Sequence, residues 1–161
     1  MALGSAKTDI KLEAVDVYWG TERCRSIQFV DDVTGSLEGE YFDLNSIGSD
    51  LETESAFYVL FDTGAAVDPA PAGKTKITVS YADDDSAEVI AGLVKTAVEA
   101  QGFKTLLTGD TLIIENPYIG FVSTEDYSQA PSFTFVELAE GIGGSLGSTA
   151  QGGSTLNMEA Q

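Results

Sequence analysis

The sequence predicts an α+β fold: a β-sandwich or partly closed β-barrel of about eight or nine short strands, with one α-helix flanking it at about 86–101. Three observations carry this expectation. Short runs of Val, Ile, Leu, Phe and Tyr recur between turn-forming residues. One segment alone places apolar residues at helical spacing, through Ile90, Leu93, Val94, Ala97 and Val98. At 161 residues the chain fits a single domain. A domain of that size buries about 68–70% of its unfolded surface and folds without a disulfide or a metal.

The elements follow in order. Residues 10–18 read as a strand whose alternation changes phase near Ala14. Ile10 and Leu12 lie in one phase, and Val15, Val17 and Trp19 in the other. A β-bulge or a strand covered on both faces gives that pattern. Residues 20–22 make a turn, and 24–30 return as the second arm of a hairpin. Residues 31–38 form a polar connection. Strands at 41–44 and 57–61 flank a long acidic tip, 45–55, which carries Asp50, Glu52 and Glu54 and has little to bury. The loop at 68–73 contains Pro69, Pro71 and Gly73. Ile77, Val79 and Tyr81 alternate with polar residues, as a half-buried strand requires. Asp85 is placed to cap the helix, with Glu88 three residues on as in a capping box, and Gly102 stops it. Strands at 103–107 and 111–115 pair across 108–110, and 118–123 and 133–138 are further strands. From Gly141 onward Gly, Ser, Thr and Gln dominate. The chain therefore divides into a β-rich domain over 1–140 and a C-terminal arm over 141–161. Ile142, Leu146, Leu156 and Met158 are the arm's candidate apolar anchors for assembly.

Charge narrows the function. The chain has 26 acidic and 8 basic residues, a net charge of -18, and no Lys or Arg between Ser26 and Gly73 or after Lys104. Nucleic-acid binders neutralise phosphates with Lys and Arg, and this chain repels them. Such an excess maintains solubility, and it also suits a wall along which DNA slides without sticking. Histidine is absent, which removes the usual general base, the usual metal ligand and the Ser-His and Cys-His pairs. Cys24 is the single cysteine, so there is no internal disulfide and no multi-cysteine zinc site. Arg23 and Arg25 flank it, but adjacent strand residues point to opposite faces, and Cys24 is expected to be buried and inert.

Other candidate chemistry is weaker. Gly73-Lys74-Thr75 matches the end of a P-loop, yet Asp68 stands where its first glycine belongs and a strand follows instead of a helix. Asp83, Asp84 and Asp85 could ligate Ca²⁺ or Mg²⁺, but acids at a helix start are explained by the helix dipole. Carboxylate pairs such as Asp31/Asp32 and Glu52/Glu54 are expected by chance in so acidic a chain. Trp19, Tyr41, Phe42, Phe57, Tyr58 and Phe61 read as core. No catalytic, cofactor-binding or metal-binding residue is expected, so the chain reads as a non-enzyme without cofactors. It has neither the apolar core of a signal peptide nor an apolar run near the ~18 residues that span a bilayer, so no membrane insertion is expected.

Residues 41–115 resemble a module of virion structural proteins from tailed bacteriophages and prophages. The resemblance rests on the aromatic hairpin Tyr41-Phe42 and Phe57-Tyr58-Val59-Leu60-Phe61, and on the loop Asp68-Pro69-Ala70-Pro71-Ala72-Gly73-Lys74-Thr75. It continues through the strand at 77–79, the Ala- and Val-rich helix opened by an acidic turn, and the closing strands at 103–107 and 111–115. The charged tip at 45–55 departs from the pattern. The whole chain is most similar to tail tube proteins. That resemblance implies a homo-oligomer of stacked, hexameric rings enclosing an electronegative channel for DNA delivery. It implies as partners other copies of the chain, a tail sheath or tape-measure protein, and passing DNA without specific binding. It also implies location in the virion tail, after synthesis in the host bacterial cytoplasm. Glu13, Asp16 and Glu115 are candidate lumen acids. The alternatives are a head-decoration, neck or tail-completion protein, or a soluble adhesion or carbohydrate-binding module.

Overall fold

Period-two alternation builds the first sheet. In β1 (Cys24–Gln28) Arg25 and Ile27 are buried, while Cys24 and Ser26 are half-buried and Gln28 is exposed. In β6 (Thr111–Glu115) Leu112 and Ile114 are the buried pair. The two strands pair antiparallel with Ile27 opposite Leu112 and Arg25 opposite Ile114, so their buried residues share one face. β5 (Lys104–Thr108) and β7 (Thr134–Ala139) complete an antiparallel sheet of order β5-β6-β1-β7. The computed structural model describes residues 22–50 and 53–140.

The second sheet has the order β2-β3-β4, from β2 (Tyr41–Ile47), β3 (Glu54–Asp62) and β4 (Thr75–Ser80). β2 and β3 are antiparallel, whereas β3 and β4 are parallel. A parallel partner requires a crossover, and residues 63–74 supply it without a helix. This stretch ties down through Asp68, which accepts bonds from the Tyr58 hydroxyl at 2.6 Å and Lys76 Nζ at 2.8 Å. β3 is consequently covered on both faces, and Tyr58, Val59, Leu60 and Phe61 are all buried.

Both sheets close on one core with α1 (Ala87–Glu99). Ile90, Val94 and Val98 of the helix are fully buried, and each contributes about 1.5–3 kcal/mol by leaving water. Phe61 lies 4.9 Å from Phe133, and Phe42 lies 5.3 Å from Phe135, centroid to centroid, which joins the sheets across the core.

The molecule is mostly β with one helix and two sheets, and the described strands close no barrel. The described strands number seven, those of the two sheets. Residues 118–123 form no strand; they follow Pro117, and Gly120 packs so tightly that an added Cβ would lie 3.1 Å from the Ile47 side chain. The 45–55 tip is shorter than expected because β2 runs to Ile47 and β3 starts at Glu54. Asn45 and Ser46 are buried in it, and Asn45 Nδ2 donates to the Ser123 carbonyl at 3.1 Å. Ser86, not Asp85, caps the helix, accepting from the Val89 N–H at 3.4 Å. Asp85 instead accepts from the Ala82 N–H at 2.8 Å. β1 is flanked on both sides, by β6 and β7, so it cannot be the second arm of a hairpin with residues 10–18. That segment, Trp19 and the arm 141–161 lie outside the described residues.

Candidate assembly surface

Every described cation is already engaged. Arg23 pairs with Glu137 at 2.8 Å, Arg25 with Glu125 at 3.3 Å, Lys76 with Asp68 at 2.8 Å and Lys95 with Glu99 at 2.7 Å. Lys104 bridges Glu22 at 2.8 Å and Glu115 at 3.1 Å, and Lys74 pairs with Asp43. The described surface therefore offers no unpaired positive charge to a phosphate backbone.

One end of the molecule is acidic throughout. There β1 ends, α1 begins, and the loop after β1 meets the loop before α1. The Thr34 N–H donates to Asp84 Oδ1 at 2.8 Å, the Asp84 N–H to Asp32 Oδ2 at 3.0 Å, and the Ala87 N–H to Asp31 Oδ1 at 2.8 Å. Asp32 also receives the Gly35 and Leu37 N–H groups at 2.8 and 3.1 Å. Burial opposes its ionisation, but the N–H donors of Leu37, Gly35 and Asp84 outweigh burial and hold the carboxyl below its ordinary range. The polar connection at 31–38 is thus an ordered joint, with Asp32 and Leu37 both buried. The acids at 83–85 serve this joint and the helix start, and no cluster of the described residues has a metal-holding arrangement.

At the other end a buried charge pair joins the sheets. Arg25 shares the inner face with Ile27, fully buried. Its guanidinium lies 5.6 Å from the Phe103 ring centroid and donates through Nη2 to Asn116 Oδ1 at 3.1 Å. Glu125 accepts from the Asn45 N–H at 2.5 Å and from the Tyr127 hydroxyl. Desolvation pushes the Glu125 carboxyl up and the Arg25 guanidinium down, with each partner's charge opposing the shift. Residues 125–129 cover the outer edge of β2, where the Tyr41 and Asp43 N–H groups donate to the carbonyls of Gln129 and Asp126 at 3.2 and 3.0 Å. This cluster escaped sequence reading, although Arg25 stands in phase with Ile27 on an apolar strand, which is the signature of a buried cation.

The other sheet edges stay open. Among the described residues β4, β5 and β7 each pair on one side only. β7 also exposes Val136 and Leu138, and β5 exposes Leu106. Unpaired edges with apolar side chains are templates for joining another strand. The loop at 117–123 adds Phe121, 72% exposed, and Tyr118.

Of the candidate lumen acids, Glu115 sits on the outer face of the first sheet, between Lys104 and Cys24, and its charge is compensated by Lys104. Glu13, Asp16 and the anchors Ile142, Leu146, Leu156 and Met158 lie outside the described residues. Cys24 is half-buried instead of buried; burial and then the Glu115 charge push its thiol up, away from reactivity. Lys74 leads into β4 and pairs with Asp43, so Gly73-Lys74-Thr75 holds no P-loop geometry. Comparison with protein-family models, curated proteins and solved structures found no match to this chain.

Proposed function

We propose that the chain is a tail tube subunit of a tailed bacteriophage, a structural protein that self-assembles into stacked rings around an electronegative channel for DNA. The observation that carries this reading is the combination of open strand edges with a described surface whose cations are all neutralised. Edges that pair with neighbouring copies cease to be free when a ring closes. A wall without unpaired cations does not hold passing DNA. The resemblance of residues 41–115 to virion modules supports the same reading.

Copies this acidic repel one another, so contact must overcome like charge, and salt weakens that repulsion over a Debye length of about 8 Å at physiological ionic strength. Sedimentation velocity across a concentration and salt series tests the proposal. Ring-sized or larger species should grow with both. A monomer at every concentration and ionic strength, together with absence from purified virions, contradicts it.

A further inference from the structure

We propose that Lys74 and Asp43 condense into an isopeptide bond, an amide that staples β2 to the start of β4 across β3. Among the described residues four lysines meet carboxylates, and burial sets this pair apart. The Asp43 side chain keeps 5% of its surface exposed, whereas the carboxylates that meet Lys76, Lys95 and Lys104 keep between 28% and 40%. Both ends of the link are fixed. Asp43 lies within β2 opposite Tyr58, which lies opposite Lys76 of β4. Lys74 precedes Lys76 by two residues, and its N–H is bonded to the Pro71 carbonyl at 3.3 Å. Two strand gaps separate β2 from β4, about 10 Å, a span that the two side chains cover together. Groups held in such contact react as though at very high concentration.

The segment over the edge of β2 completes the site. The Asp43 N–H donates to the Asp126 carbonyl at 3.0 Å, and the Asp126 N–H donates back to Asp43 Oδ2 at 3.2 Å. Oδ2 is also the atom that meets Lys74 Nζ. The bonds from the Ser128 hydroxyl and N–H, and then the Lys74 charge, hold the Asp126 carboxyl below its ordinary range, so it stands ionised near the lysine. The reaction needs no co-reactant. One Nζ proton passes to Oδ2, leaving an amine beside a carboxylic acid, and the amine lone pair attacks Cγ. The Nζ–Cγ bond forms and the Cγ–Oδ2 bond breaks, with its electron pair going to oxygen. The Asp126 N–H stabilises the charge that builds there. The Asp126 carboxylate carries a second Nζ proton to the departing hydroxyl, and water leaves. Nothing is oxidised or reduced, and Oδ1 remains as the amide oxygen.

The inference does not depend on the tube reading, since the staple forms within one chain. Intact-mass spectrometry of the full-length protein in denaturing acid tests it. The wild type should weigh one water less than its sequence. Lys74→Arg keeps the charge pair without the amine, Asp43→Ala removes the acceptor, and each should show the full sequence mass. Trypsin does not cut after an acylated lysine, and no Lys or Arg lies between Ser26 and Gly73, so the wild type should yield 26–76 as one peptide lighter by one water. Chymotrypsin should then leave the pieces carrying Asp43 and Lys74 joined. Asp126→Asn should slow closure, leaving full-mass protein in fresh preparations. Far-UV circular dichroism verifies that each variant is folded. Wild type at full sequence mass overturns the inference. So does a loss of water that persists in Lys74→Arg, because it then arises elsewhere. Complete closure in fresh Asp126→Asn contradicts the proton path through that carboxylate.

Discussion

Arg25 and Glu125 face each other at 3.3 Å with neither side chain reaching solvent. The pair joins β1 to the segment that covers the edge of β2, and Arg23 Nε, 3.6 Å from Glu125 Oε2, adds a second charge contact to the same carboxylate. Removing one partner of a buried pair leaves the other uncompensated, at a cost of about 3–5 kcal/mol. Glu125→Leu strands Arg25 and should lower the unfolding free energy from urea titration by an amount in that range, and Arg25→Met should cost less, because Arg23 still reaches Glu125 at 3.6 Å. The double variant should lose less than the sum of the two, because neither charge is then stranded. Additive losses would show that the pair is not coupled.

Asp32 organises the acidic end by accepting three backbone N–H groups, from Gly35, Leu37 and Asp84. Hydrogen bonds to a charged acceptor contribute about 1.5–3 kcal/mol each and are not additive. Asp32→Ala should therefore cost about 2–4 kcal/mol in equilibrium unfolding. Its folded carboxyl titrates below its unfolded value, so its contribution is full above the ordinary aspartate range and is lost as pH falls through the folded value. The pH dependence of stability at the acid end should be shallower in Asp32→Ala. An unchanged acid limb contradicts the assignment.

The crossover at 63–74 depends on Asp68. The bond from Lys76, then that from Tyr58 and the Ala70 N–H, hold its carboxyl at about 2. Burial and the Asp68 bond push the Tyr58 phenol up to about 12. Carbon-detected NMR titration should find Asp68 the late-protonating aspartate as pH falls. Lys76→Ala should raise its pKa and, more weakly, that of Asp62, which also feels the Lys76 charge. An Asp68 titrating in the ordinary range near 3.9 would show that the crossover is not fastened this way.

The arm 141–161 follows directly on β7, whose outer edge is open among the described residues. Ordering so many Gly and Ser residues costs about 1–2 kcal/mol each in backbone entropy, which only a partner surface or extensive pairing offsets. Deletion after Glu140 should leave a folded monomer, by circular dichroism and urea melting, that assembles poorly. Normal assembly of the truncated protein removes the arm from the account.

Local pattern made most of the described elements legible. The helix face of Ile90, Val94 and Val98, the alternation of Ile77 and Val79, and the hairpin strands at Lys104–Thr108 and Thr111–Glu115 all follow from spacing alone. Misreadings occurred where tertiary packing overrode local signals. Val122 sits in an apolar run that looks like a strand, but Gly120 wedged against Ile47 keeps the run irregular. Asn45 and Ser46 look like loop residues and are buried because the segment carrying Ser123 and Glu125 folds over them. The polar connection concealed Asp32, since no periodicity announces a carboxylate whose partners are backbone amides. The parallel pairing of β3 with β4 was equally hidden, because a crossover without a helix has no pattern of its own.

Electron cryomicroscopy of the assembled protein, or of the virion that contains it, tests the central claim most directly. The account predicts stacked rings in which open edges of neighbouring copies are paired and carboxylates outnumber cations along the channel wall. Lumen-facing acids replaced by Lys should leave such tubes intact and slow DNA ejection, more at low salt than at high. A monomeric particle, a shell position without an axial channel, or a channel lined mainly by lysine or apolar side chains would contradict it.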